Sequence, residues 1–164
     1  MRLSLSAGFA LMLGLLLSAC QPALNWRETR PAGSGAVASF PCKPEVEQRQ
    51  NSGLAQCEAG GRGFALSWAE APDATQSGAA LKAMAQALAT KLGQPLPAAA
   101  PLQVAGMTPL PQAAQYRLSG RAGVTRVAVF AYGGRVYQAL MTAPEDDAAA
   151  WEIFAAGLRI EAAR

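Results

Sequence analysis

Val124-Thr125-Arg126-Val127-Ala128-Val129-Phe130-Ala131-Tyr132 runs into Gly133-Gly134 and leaves through Arg135-Val136-Tyr137-Gln138-Ala139-Leu140-Met141-Thr142. Two β-rich runs joined by two glycines are the pattern of a tight hairpin, because such turns need positive φ. Apolar residues occupy both faces of Val124 to Tyr132, which predicts a strand covered on both sides. Ala114 to Ser119 reads as a strand before it, giving a three-strand meander. Pro144 ends the third strand. Glu145, Asp146 and Asp147 are then expected in the first turn of a last helix, where acids complement the macrodipole. Trp151, Phe154 and Leu158 would form its buried stripe. A catalytic carboxylate pair is the other use for these three acids; the helix terminus accounts for them without it.

Upstream the chain alternates in the same way. Ala36 to Phe40 is a short strand ended by Pro41 and Pro44, and Glu45 to Arg49 is an exposed edge strand or a loop. Asn51-Ser52-Gly53 reads as a turn, Leu54 to Ala59 as a strand, and Gly60-Gly61-Arg62-Gly63 as the next turn. Phe64, Leu66 and Trp68 share one face of the strand that follows. The glycine run lacks the Gly-Lys-Ser/Thr ending of a phosphate loop. Pro72-Asp73 opens a helix with Asp73, Thr75 or Ser77 as N-cap. Leu81, Met84, Ala85, Leu88 and Leu92 form its stripe, and Gly93 is suited to C′. Gln94 to Pro111 carries Pro95, Pro97, Pro101, Pro109 and Pro111, so it must be a long connection. Its apolar residues should lay it on the domain, with a short strand at Leu102 to Ala105. The sum is an α+β fold: an antiparallel sheet flanked by helices, preceded by a signal-peptide helix.

The first residues supply an address. Arg2 is followed by an apolar run from Ala7 to Leu17. A charged start, a short apolar middle and small residues at the end make a secretory signal. The run falls short of the ~20 residues of a membrane span. Leu17-Ser18-Ala19-Cys20 resembles the lipobox of bacterial lipoproteins. That resemblance implies cleavage by signal peptidase II before Cys20 and acylation of Cys20 on its sulfur and its new amino group. More than one chain gives stable anchoring, at ~0.8 kcal/mol per buried CH₂. Gln21 stands where the family's inner-membrane retention signal is usually Asp, which implies the outer membrane with the domain facing the periplasm. The expected organisation is a signal peptide over 1–19, a lipidated N-terminus and tether over 20–34, and one domain over 35–164. Trp26 interrupts the tether and either docks on the domain or sits in the membrane interface; docking is the expectation.

The 164-residue chain is rich in alanine and glycine, carries a formal net charge of +3 and has no histidine. One domain with a proper core fits this length. The mildly basic balance gives no reason to expect a nucleic acid partner. With Cys20 acylated, Cys42 and Cys57 remain, and in an oxidising compartment two such cysteines usually pair. A metal or nucleophilic role is the alternative, although the spacing is not that of a zinc site. No metal or cofactor is expected.

Phe40-Pro41-Cys42-Lys43-Pro44, with Cys57 following, resembles a group of uncharacterised proteobacterial envelope proteins that share the Phe-Pro-Cys-Lys-Pro segment. The order of strands, helix, proline-rich connection, meander and last helix resembles the PsbP-like α/β sandwich over Ala36 to Ile160. That likeness implies a sheet flanked by helices and a role in binding or supporting other proteins; it supplies no catalytic residues. Three functions are consistent with the chain. The first is a non-catalytic accessory or protein-binding lipoprotein of the envelope, anchored through Cys20 and meeting an envelope protein. The second is a small-ligand binder with a pocket between the sheet and the proline-rich loop. The third is an envelope hydrolase, which the missing histidine and the absence of a nucleophile-elbow serine disfavour. Arg117, Arg121, Arg126 and Arg135 lie on or near adjacent strands and would make a basic patch if they converged.

Overall fold

The computed structural model describes residues 24–161. The expected signal peptide and Cys20 lie outside the described residues. The described residues form nine strands and two α-helices: β1 (Arg27–Thr29), β2 (Ala36–Phe40), β3 (Glu45–Arg49), β4 (Ser52–Ala59), β5 (Arg62–Glu70), α1 (Ser77–Lys91), β6 (Ala114–Gly120), β7 (Gly123–Tyr132), β8 (Arg135–Ala143), α2 (Ala148–Ala156) and β9 (Arg159–Ile160). It is a mixed α+β fold in which every strand pairing is antiparallel.

The main sheet has six strands in the order β3-β4-β5-β8-β7-β6. The meander is as the sequence predicts: Tyr132 pairs with Arg135 across the hairpin, and Gly133 takes φ +55°. The sequence does not predict a second sheet, β1-β2-β9, whose outer strands come from opposite ends of the chain. Ala36–Phe40 is thus a strand, but it belongs to this sheet and not to the large one.

Residues 20–34 were expected to be a tether. From Asn25 onward they belong to the fold. The Asn25 amide donates to the Pro41 carbonyl at 3.3 Å, and Arg27, Glu28 and Thr29 pair with Phe40, Ser39 and Ala38. Trp26 docks: its ring meets Phe64 edge-on, with centroids 5.4 Å apart. Ser34 is fully buried, and its hydroxyl caps the Ala36 amide.

One face of the large sheet packs on the small sheet, α2 and the proline-rich connection. Its core gathers Phe40, Phe64, Leu66, Trp68, Phe130, Tyr137, Met141, Trp151 and Phe154. Each such side chain contributes roughly 1.5–3 kcal/mol on burial. Leu102 and Val104 of the connection are buried in the same core. The connection forms only isolated bridges, Ala100 to Gln115 and Ala105 to Arg159, rather than a strand.

α1 packs on the other face. Its buried residues are Ser77, Leu81, Ala85 and Ala89, while Met84, Leu88 and Leu92 are partly buried around them. The predicted stripe is therefore rotated: alanines at the contact let the helix approach the sheet, and the larger side chains flank it. Gly93 takes φ +69°, and the Gln94 amide donates to Ala89 O, so the helix ends as predicted.

Two turns are tighter than expected: Arg62 and Gly63 lie in β5, which leaves Gly60-Gly61 as one of them. Ser52 and Gly53 lie in β4, and the other turn is Gln50-Asn51. Gly53 faces Trp68 across β4 and β5, and a Cβ there would collide with the indole. This glycine makes room for an aromatic ring rather than bending the chain.

Candidate binding groove

α1 packs on β7, on the start of β8 at Val136 and beside Leu118 of β6, and leaves β3, β4, most of β5 and the Leu140 end of β8 without a helix. One row of register partners crosses all six strands on that side: Glu45, Gln56, Ala65, Leu140, Val127 and Tyr116. Val127 is fully buried under α1; Ala65 and Leu140 are half-buried, and Glu45 and Gln56 are exposed. The next row repeats the gradient through Glu47, Leu54, Ser67, Gln138 and Val129. The uncovered half forms a groove of about 560 Å³, bordered by Lys43, Glu45, Gln56, Glu58, Ala65, Leu140 and Thr142. Gly63 keeps one end open, since a Cβ there would come within 2.7 Å of Thr142 Oγ1.

The groove ends at β3, whose five residues are all exposed. The other edge of the sheet is partly closed, because Ala100 bridges Gln115 and the Gln115 side-chain Nε2 donates to Pro101 O at 2.7 Å. The open edge carries Glu45 and Glu47, with Glu58 behind them on β4. Among the described residues none of the three is in an ion pair. Charged side chains of this kind discourage edge-to-edge aggregation.

The disulfide between Cys42 and Cys57 is formed, with Cα atoms 6.0 Å apart. Both cysteines border the groove. The bond ties the segment after β2 to β4 of the large sheet, so it joins the two sheets rather than adjacent strands of one. Closing a loop of this length is worth about 3 kcal/mol in the chain-entropy model.

The four arginines do not converge. Arg117 and Arg126 are cross-strand partners, and both bind Asp146: Arg117 Nε at 2.8 Å, Arg126 Nε at 2.7 Å and Arg126 Nη2 at 2.9 Å. The hydrogen bonds from Arg126, then those from Arg117, hold the Asp146 carboxyl well below its usual range, at about 2. Arg135 sits at the far end of β7 and β8, beside Tyr132; six residues along a strand separate that end from Arg126, about 20 Å. There Arg135 donates to the Gly33 and Ser34 carbonyls at 2.9 and 3.1 Å, and Tyr137 OH donates to Ser34 O at 2.8 Å. Arg135 is a latch for the N-terminal segment. Arg121 stands alone on the exposed β6–β7 turn.

The three acids expected inside the last helix precede it. Asp147 is the N-cap, accepting from the Ala150 amide at 2.9 Å, and it also pairs with Arg62 at 2.6 Å. Asp146 is turned back onto the sheet. Glu145, Asp146 and Asp147 border one hollow of about 400 Å³ together with Arg62, and Asp146 and Asp147 are held there by Arg117, Arg126 and Arg62. The interface between the sheet and the proline-rich connection, expected as a ligand pocket, is filled by Leu102 and Val104. Among the described residues no three His, Cys, Asp or Glu side chains cluster as metal ligands.

The sequence analysis missed the groove because a missing cover leaves no motif. The available signal was the outward face of β5, where Ala65, Ser67 and Ala69 are small and uncharged. Protein-family models, curated proteins and solved structures were each compared with the chain, and none matches it.

Proposed function

We propose that the protein is a lipid-anchored, non-catalytic binding module of the bacterial cell envelope, held by Cys20 at the outer membrane and facing the periplasm. The observation that carries the binding role is the uncovered half-sheet running out to the free edge of β3. Its floor is uncharged, with Leu54 and Leu140 beside Ala65 and Ser67, and three glutamates against one lysine stand at its rim, which suits an extended, basic segment of an envelope protein added along β3. The compartment is supported by the Cys42–Cys57 disulfide and by the lipobox-like end of the leader. The sequence order of strands, helix, proline-rich connection, meander and last helix resembles that of the PsbP-like sandwich, whose members mostly support other proteins; such a resemblance bears on fold and not on function.

The test is capture from envelopes by crosslinking, repeated with Ala65→Arg and Ser67→Arg. Loss of a stoichiometric partner in both variants, with melting temperature unchanged, supports the groove; equal capture refutes it. Acyl labelling that persists in Cys20→Ser would refute the anchor.

A second reading rests on the groove's volume of about 560 Å³, which lies within the range of small-molecule sites. Native mass spectrometry showing a bound compound that Ala65→Arg expels would favour it over a protein partner.

A further inference from the structure

We infer that the domain stands directly on the bilayer, with the corner made by Asn25–Arg27 and Pro41–Lys43 against the lipid headgroups. This rests on the lipoprotein reading of Cys20. Only Gln21, Pro22 and Ala23 separate Cys20 from Leu24. Four residue steps span at most about 14 Å when fully extended. The headgroup layer itself takes up roughly 5–7 Å of each leaflet. The slack that a tether over 20–34 would give is not available.

From Asn25 the chain is fixed to the domain. Asn25 bonds Pro41, Trp26 lies on Phe64, and Arg27 pairs with Phe40. An acylated Cys20 therefore carries the headgroup region to this corner and to no other. The corner is suited to that level. Arg27 and Lys43 are exposed and, among the described residues, in no ion pair. Trp26 is half-buried, a polar-tipped aromatic of the kind that favours interfaces. Glu45 and Glu58 lie just beyond, on the groove. Because Cys42 and Lys43 border the groove, one of its ends opens next to the membrane. Its occupant is then met at the bilayer surface rather than deep in the periplasm.

The experiment uses the full chain expressed in its membrane, with a photo-crosslinking side chain placed at Arg27, at Lys43, or at Lys82 on the opposite layer. Lipid adducts at Arg27 and Lys43 at least tenfold above those at Lys82 are expected. A twelve-residue Gly-Ser insertion between Pro22 and Ala23 should abolish the difference. Acylated protein with equal or no lipid adducts at the three positions overturns the inference and leaves the anchor standing. Absence of acyl label on Cys20 overturns the anchor and the inference together.

Discussion

Ala65, Leu140 and Val127 are neighbours in one row, on one face of one sheet, yet Val127 is fully buried and the other two are half-buried. Across the four inner strands the opposite face shows no such gradient: Ala55, Leu66, Ala139 and Ala128, another row of register partners, are all fully buried. The difference comes from α1, which is 15 residues long and packs on Val127, Val129 and Ala131 of β7, Val136 at the start of β8 and Leu118 of β6, short of Leu140 and Ala65. Burial on a sheet is set by what the chain lays over each strand, and the side chains follow. Valines meet the helix; alanine, serine and glutamine, with Leu54 and Leu140 among them, line the part it leaves bare. An uncovered half written in large apolar residues would be an aggregation liability.

The comparison breaks first at its covered end. Val127→Arg places an unpaired charge beneath α1, and a loss of more than about 4 kcal/mol is expected, enough to prevent folding. Leu81→Ala, on the helix side of the same contact, should cost about 2–5 kcal/mol in urea unfolding. A cost below 1 kcal/mol would mean that α1 does not cover this half. Reducing Cys42–Cys57 should cost about 3 kcal/mol and lower the melting temperature. Free-thiol titration of protein denatured without reductant should find neither thiol.

Much of this contrast was legible in the sequence, and the illegible part has physical causes. Strands with a core face announce themselves by alternation: Phe64, Leu66 and Trp68 were placed on the correct face. The hairpin at Gly133-Gly134 and the helix end at Gly93 follow from backbone sterics, which act locally. β1 could not be read this way. Arg27-Glu28-Thr29 has no apolar residue, and it becomes a strand only because Phe40, Ser39 and Ala38 lie opposite. β9 is two residues long and pairs with a strand more than a hundred positions earlier. The arginines failed as a patch for a related reason. Their partners, the carbonyls of Gly33 and Ser34 and the carboxylate of Asp146, arrive through the fold. Composition shows that charges exist and not which of them are spent.

Smaller effects sharpen the contrast between the faces. Gly53→Ala puts a methyl into the Trp68 indole on the packed face, and overpacking of this kind costs about 1–3 kcal/mol. Asp146→Asn removes the carboxylate shared by Arg117 and Arg126. Because folding lowers this carboxyl to about 2, its contribution is complete above the ordinary carboxylate value and is lost as pH falls through about 2. The wild type should therefore be more stable than the variant at pH 7, by up to about 1 kcal/mol for such a surface pair. The two should converge near pH 2. Urea midpoints at both pH values check this, and a gap that persists at pH 2 would assign the effect to packing.

The smallest expected effect is the most informative about the groove. Ala65→Arg enlarges a side chain in the middle of the sheet, two strands away from Val127. On a covered face this would resemble Val127→Arg in severity. Here Ala65 points into the groove between Gln56 and Leu140. The arginine stem can lie along Leu140 while its guanidinium stays in water near Glu45 and Glu58. The change in stability should stay within about 0.5 kcal/mol, the range of ordinary surface substitutions. Equilibrium urea unfolding of Ala65→Arg and Val127→Arg side by side measures the gradient across the row directly. A loss above 2 kcal/mol for Ala65→Arg would show that this half of the sheet is covered in solution, by a copy of the chain or by a rearranged segment. A neutral result, combined with loss of partner capture, would locate the binding surface on residues that contribute almost nothing to folding.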